Sequence, residues 1–202
     1  MRYGILADIH EHVEYLREAL NMLQHERVDK LLLLGDIAVD GKRIDETVSL
    51  LRPFAPCGVW GNHDLGLAHN PSDHFANRYG TSVIEFFSTL KSQFEIGDIL
   101  VTHGLPTWDA TDPTAYYLGK PPWTNGSLTS EFQQVTHRII LVGHFHRWFA
   151  STLRHPIAWR GKTVLSFSSL ERYFVIVGAL FQGSFAILDT DADSLTPFSI
   201  TA

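Results

Sequence analysis

The chain has one cysteine, Cys57, among 202 residues. It cannot form an internal disulfide, which excludes a disulfide-framed scaffold. Cys57 precedes Gly-Val-Trp in a predicted strand, so a buried, small apolar role is expected rather than a reactive thiol. Basic runs are missing too. The formal net charge is −6, which argues against a protein that grips nucleic acid by its phosphates, and no extended nucleic-acid surface is expected. A small nucleotide remains compatible with such a chain if metal ions supply the positive charge. No stretch approaches the ~18 apolar residues of a membrane helix. The apolar start, Tyr3 to Ala7, is far shorter than a signal h-region and runs straight into Asp8. A cytoplasmic protein is therefore expected, and the glycosylation-like Asn125-Gly126-Ser127 is discounted for want of a secretory signal. Internal repeats, linkers and low-complexity segments are lacking. The length suits one domain, residues 1–202, with a sizeable core, and the 45% apolar content is that of ordinary globular proteins.

The early half of the chain alternates between two hydrophobic periods. Residues 2–7, 30–35 and 57–60 are short apolar runs and predict strands. Val13, Leu16, Leu20 and Leu23 recur at helical spacing, and residues 45–51 predict a second helix that stops before Pro53. A β-α-β-α-β start implies parallel strands with right-handed crossovers. Phe75, Tyr79, Val83, Phe86, Phe87 and Leu90 fit helical faces interrupted at Gly80, and residues 93–96 and 99–103 flank Gly97-Asp98 as a hairpin. Residues 105–127 form the longest irregular stretch, a length that is usually functional or disordered. A short helix is expected at 130–137. Strands follow at 139–142, 147–153, 163–168, 172–177, 184–189 and 195–200. The expected fold class is α/β, with two mixed β-sheets packed face to face and helices outside.

Five polar segments each follow an apolar run: Asp8-Ile9-His10, Gly35-Asp36, Gly61-Asn62-His63-Asp64, Thr102-His103-Gly104 and Gly143-His144-Phe145-His146. Ligands of open α/β sheets collect beyond the carboxyl ends of strands. Carboxylate oxygen and imidazole nitrogen suit borderline divalent ions such as Mn, Fe, Zn, Ni or Co. The lack of thiolates argues against a closed structural zinc site. Asp36 follows the most apolar strand, which should be central in its sheet, and a central carboxylate can bridge two metals. Two metals ~3.5–4 Å apart clamp the attacking and leaving oxygens of a phosphoryl transfer and lower the pKa of a shared water. His63, next to Asn62, would be close enough to give the leaving alkoxide its proton, with Asp64 available to orient its imidazole.

The ordered set D-x-H, G-D, G-N-H-D, H-G and G-H-x-H resembles the calcineurin-like metallophosphoesterase superfamily. All five elements stand in the family order, from residue 8 to residue 146. The compact length, with Gly178 and Gly183-Ser184 in the late strands, is similar to the small bacterial phosphodiesterase branch. The resemblance implies a β-sandwich flanked by helices with a binuclear metal centre at the strand ends. It implies Asp8, His10 and His146 on one ion, Asn62, His103 and His144 on the other, Asp36 bridging, and His63 as catalytic acid. Two ions from Mn, Fe, Zn or Ni are expected, with Mn or Fe favoured. Protein phosphatases of the superfamily carry G-N-H-E and an Arg within G-D-x-x-D-R-G. Here Asp64 ends the third motif, and Lys42 and Arg43 lie beyond the second, which argues against that activity. Phe145 stands where small phosphodiesterases often have Thr.

The expected function is hydrolysis of a small phosphoester, nucleotide-like substrates included, through a metal-bridging hydroxide, with diesters slightly favoured. The alternatives are a phosphomonoesterase acting on phosphoprotein or nucleotide, and a non-catalytic scaffold of the same fold. His12, His25, His69, His74, His137 and His155 are expected to be surface or hydrogen-bonded residues. Asp189-x-Asp191-x-Asp193 is expected to be a solvated turn, because an EF-hand needs Gly and Glu where Ser194 and Ile200 stand. Trp108, Tyr116, Tyr117 and Trp123 are open to stacking on an aryl or base group, to packing on their own domain, or to contact with another subunit of an oligomer.

Overall fold

The computed structural model describes residues 1–123 and 128–201, so Asn125-Gly126-Ser127 and the last part of the aromatic loop lie outside the described residues. The early half folds as β1 (Arg2–Leu6), α1 (Val13–His25), β2 (Lys30–Leu34), α2 (Ile44–Leu51), β3 (Cys57–Val59), α3 (Leu65–Ala68) and α4 (Asp73–Ser88). There follow β4 (Gln93–Ile96), β5 (Ile99–Thr102), α5 (Pro113–Leu118), α6 (Thr129–Gln134), β6 (Ile139–Val142), β7 (Phe149–Thr152), β8 (Leu165–Ser166), β9 (Tyr173–Ile176), β10 (Ser184–Asp189) and β11 (Ser194–Ser199).

The strands form two mixed sheets. One has the order β3-β2-β1-β10-β11-β8, the other β4-β5-β6-β9-β7. β1, β2 and β3 run parallel, as do β5, β6 and β9, while β1–β10, β10–β11, β11–β8, β4–β5 and β7–β9 pair antiparallel. The side-chain period of two explains the unbroken apolar runs. Ile5, Leu32 and Leu34 point into the cluster between the sheets, with Val101, Ile139, Leu141 and Val175 from the second sheet. Leu6, Leu31 and Leu33 point the other way, onto Leu16 and Leu20 of α1, Val48 of α2 and Phe87 of α4. Ile140, Val142, Phe174 and Ile176 cover the outer face of the second sheet with Leu105 and Phe132. Both faces of both sheets are thus buried, giving the α/β sandwich flanked by helices.

Several local expectations change. The stretch from residue 105 is not wholly irregular, because Pro113–Leu118 is helical, with Asp112 accepting from the Thr114 N–H as its cap and Pro at the first position. The strand expected at 163–168 shrinks to two residues, Leu165–Ser166. Gly80 does interrupt α4, with φ +74°. Cys57 is half-buried, and burial raises its thiol pKa. The Asp189–Asp193 segment is the turn between β10 and β11, where Asp189 Oδ1 accepts the N–H groups of Asp191 and Ala192. Among the described residues no helix is long and apolar enough to cross a membrane.

Candidate metal centre

The carboxyl ends of β1, β2, β3, β5 and β6 deliver the five polar segments to one place. Backbone bonds lock the segments together: Asp8 N–H donates to the Gly35 carbonyl, His10 N–H to that of Asp36, Glu11 N–H to that of Ile37, and Gly143 N–H to that of His103. The local conformation is strained. Asp8, His10, Glu11, Asp36, His144 and His146 all have φ between +47° and +62°, a region that costs a non-glycine side chain about 1–3 kcal/mol. Such strain persists only where the surroundings enforce it, and it clusters at functional sites. Two glycines make the crowding feasible. A Cβ on Gly61 would lie 2.1 Å from Asp36 Oδ1, and one on Gly35 would lie 2.7 Å from His103 Nδ1.

Two groups of donor atoms converge there. Asp8, His10, Asp36 and His146 form one, and Asp36, His103 and His144 form the other. Asp36 belongs to both. Its Oδ2 stands 3.2 Å from His103 Nε2 and 3.8 Å from His10 Nε2, while its Oδ1 accepts the His63 N–H at 2.9 Å. The oxygen that faces both groups is therefore Oδ2. Asn62 joins the second group, its Oδ1 3.2 Å from His103 Nε2.

In the second group each imidazole has one ring nitrogen held on a backbone carbonyl. His103 Nδ1–H donates to the Leu34 carbonyl at 2.6 Å, which turns Nε2 toward Asp36 and Asn62. His144 Nε2–H donates to the Tyr116 carbonyl at 3.2 Å, which leaves Nδ1 as its free lone pair. In the first group Asp8 Oδ1 accepts the His144 N–H and lies 3.4 Å from His146 Nε2, while buried Asp8 Oδ2 has no partner among the described residues. His10 Nε2 and His146 Nε2 face one another at 3.4 Å. Carboxylate, amide and imidazole acceptors aimed at each other, with a buried carboxylate oxygen unsatisfied, fit divalent cations.

Without a cation these groups compensate through protons. Burial opposes a charge on His103, but Asp36 beside it prevails and raises its pKa to about 9. Burial opposes ionisation of Asp36 too, yet His103 pulls its pKa well below the usual carboxylate value. Burial, and then the His103 charge, lower His144 to about 4, and burial lowers His10.

Asp64 takes a different place from the one expected. Its Oδ1 accepts the N–H groups of Ile37 and Ala38 at 3.0 and 2.9 Å, and its Oδ2 that of Gly61 at 2.9 Å. Burial and the nearby Asp36 charge raise its pKa to about 7, against three donors that favour the ionised form. The carboxylate ties the loop after β2 to the loop after β3, so its contacts are with backbone rather than with the His63 ring. His63 itself is exposed, with its ring 5.0 Å from that of His10.

The aromatic loop roofs the second group. Tyr116, only 5% exposed, has its ring 5.7 Å from His103 and 5.3 Å from His144, and Trp108 lies 5.7 Å from His144. Trp123 packs on Phe145 and Phe149. Tyr117 is 68% exposed. Glu131 of α6 anchors the start of this loop by accepting from the N–H and hydroxyl of Thr107. The Leu34 and Tyr116 carbonyls and the ring of Phe181, which stands against His10 and His146, escaped the sequence because no residue type marks such contacts.

Comparison with known proteins identifies the lineage. Residues 1–166 match the family model for calcineurin-like phosphoesterase. The chain belongs to the calcineurin-like phosphoesterase family. A metallophosphoesterase from Sphaerobacter thermophilus is 25% identical with a TM-score of 0.80, over all of this chain and 89% of that one. An archaeal phosphodiesterase, 16% identical with a TM-score of 0.55 over 99% of this chain and all of its own, shares the fold. An uncharacterized protein of Methanocaldococcus jannaschii is 35% identical over 81 residues, which is 40% of this chain and 33% of that protein. The chain thus matches about a third of that curated relative's length.

Proposed function

We propose that this calcineurin-like phosphoesterase chain is a single domain that hydrolyses small phosphoesters with two divalent ions. Asp8, His10 and His146 hold one ion, Asn62, His103 and His144 the other, and Asp36 belongs to both. The observation that carries this reading is the pair of donor groups sharing Asp36. Mn and Fe are the favoured ions, with Zn and Ni as the alternatives; carboxylate and amide oxygens with imidazole nitrogens can hold any of the four. When bound, such ions neutralise phosphoryl oxygens and make a water nucleophilic near neutral pH.

The chain's own groups supply the rest. His63 is exposed at the rim, and its backbone N–H is fixed on Asp36 Oδ1. In this reading His63 gives a proton to the departing alkoxide. Asp64 positions this segment through the backbone of Gly61, Ile37 and Ala38. Cations of the loop after Asp36 are committed elsewhere: Lys42 pairs with Asp40, and Arg43 with Glu14 and Glu46. A monoester carries up to two charges and a diester one. With those cations spent on surface carboxylates, the site favours diesters and lacks the arginine of the protein-phosphatase motif. Metal analysis of the purified protein followed by a panel of diesters and monoesters tests this. Faster turnover of diesters supports it, faster turnover of monoesters reverses the preference, and no turnover with any of the four metals favours a scaffold.

A further inference from the structure

The two halves of the site orient their imidazoles by different means. In the second, His103 and His144 each donate an N–H to a backbone carbonyl. In the first, His10 Nδ1 is buried without a partner among the described residues, and the polar groups around His10 and His146 there are one another, the carboxylates of Asp8 and Asp36, and the His63 ring, 5.0 Å from that of His10. Both residues also sit in the left-handed backbone region, at φ +47° and +52°. Among the described residues no backbone carbonyl accepts from either ring, so the anchor used in the second group is missing here.

Phe181 stands against both. Its ring centroid is 5.1 Å from that of His10 and 4.9 Å from that of His146, with near-perpendicular planes of 81° and 82°. Edge-to-face geometry at this distance is the favoured arrangement of aromatic pairs. The backbone keeps it there. Leu180 N–H donates to the Ala7 carbonyl and Phe181 N–H to the Asp8 carbonyl, so a single helical turn, Leu180–Gln182, is fastened to the end of β1. Phe181 is half-buried and lies beyond the residues that match the family model.

We infer that Phe181 is a positioning residue: its ring fixes the orientation of His10 and His146, and with it the first ion-binding group, where the second group relies on carbonyl hydrogen bonds. The metal arm of this inference rests on the two-ion reading above. Loss of a group that orients a metal-ligating histidine typically weakens metal binding by about 10–100-fold.

The test compares Phe181→Leu, which keeps apolar bulk but removes the ring, with Phe181→Tyr, which keeps it. Calorimetric titration of metal-free protein with Mn should show two ions in the wild type. In the leucine variant one ion should weaken by about 10–100-fold and the other stay unchanged, and tyrosine should restore wild-type binding. Anomalous scattering from leucine-variant crystals at low Mn should then show the ion on His103 and His144 alone. Metal-free protein gives a readout independent of the ions. The ring-proton resonances of His10 and His146 should broaden in the leucine variant and sharpen again with tyrosine, while those of His103 and His144 do not change. Should leucine prevent folding, Phe181→Met is measured in its place. Equal weakening of both ions, or unaltered ring resonances of His10 and His146, would overturn the role of Phe181. A wild type that binds a single ion would overturn the two-ion reading and leave the resonance comparison to judge Phe181.

Discussion

Replacing Asp64 by asparagine separates a structural carboxylate from a catalytic one. Three buried N–H groups, those of Ile37, Ala38 and Gly61, converge on its two oxygens. Asparagine keeps one acceptor oxygen, which can serve Ile37 and Ala38, but turns an NH₂ toward the Gly61 N–H. One buried donor is then unpaired, at a cost of about 1–3 kcal/mol. For a chain of this size each kcal/mol lowers Tm by about 2–4 °C, so the expected fall is about 2–12 °C. Alanine would strand all three donors at about 3–9 kcal/mol, comparable with the whole stability of a domain, about 5–15 kcal/mol, so asparagine is the informative variant. The assay is thermal unfolding of metal-free protein beside turnover of esters with good and poor leaving groups. Asp64→Asn should lower Tm while leaving the relative rates on the two ester types as in the wild type. An unchanged Tm with a selective loss on poor leaving groups would refute this and return Asp64 to partnership with the His63 imidazole.

His63→Gln should retain its metals and slow turnover of alkoxide esters by about 10²–10⁴, with a smaller loss for p-nitrophenyl esters, as steady-state kinetics and metal analysis would reveal; loss of metal would assign His63 a different role. Gly61→Ala, whose Cβ would sit 2.1 Å from Asp36 Oδ1, should displace that carboxylate and reduce the uptake of both ions in a Mn titration. Tyr116→Ala empties a buried aromatic position, worth about 3–5 kcal/mol if fully buried, and should reduce turnover of aryl and alkyl esters alike, because the ring packs on His103 and His144. A loss confined to aryl and nucleotide esters would instead place the Tyr116 ring on substrate.

The parts of the fold with strong local signals were legible in the sequence. Leu31 to Leu34 read as a strand covered on both faces, and their side chains do alternate between two apolar clusters. Gly80 marked the break in α4. Pro113–Leu118 was missed because six residues are too few for a helical period, although Asp112-Pro113 carries the cap and first-turn signal. Residues 163–168 looked like a strand, yet β8 pairs with β11 only through Leu165 and Ser166. In the site, residue types at strand ends announced a metal-binding chemistry. What the side chains lean on did not show. Asp64 bonds to backbone 26 and 27 residues away. His144 is oriented by a carbonyl that any residue at position 116 would offer. The ring of Phe181 reaches His10 only because β1 and the turn after β9 are neighbours in space.

Anomalous scattering from a Mn-loaded crystal tests the central claim most directly. The account predicts two ions per chain, one among Asp8, His10 and His146, the other among Asn62, His103 and His144, with Asp36 in contact with both. A single ion held by only one of these groups at full loading would contradict it.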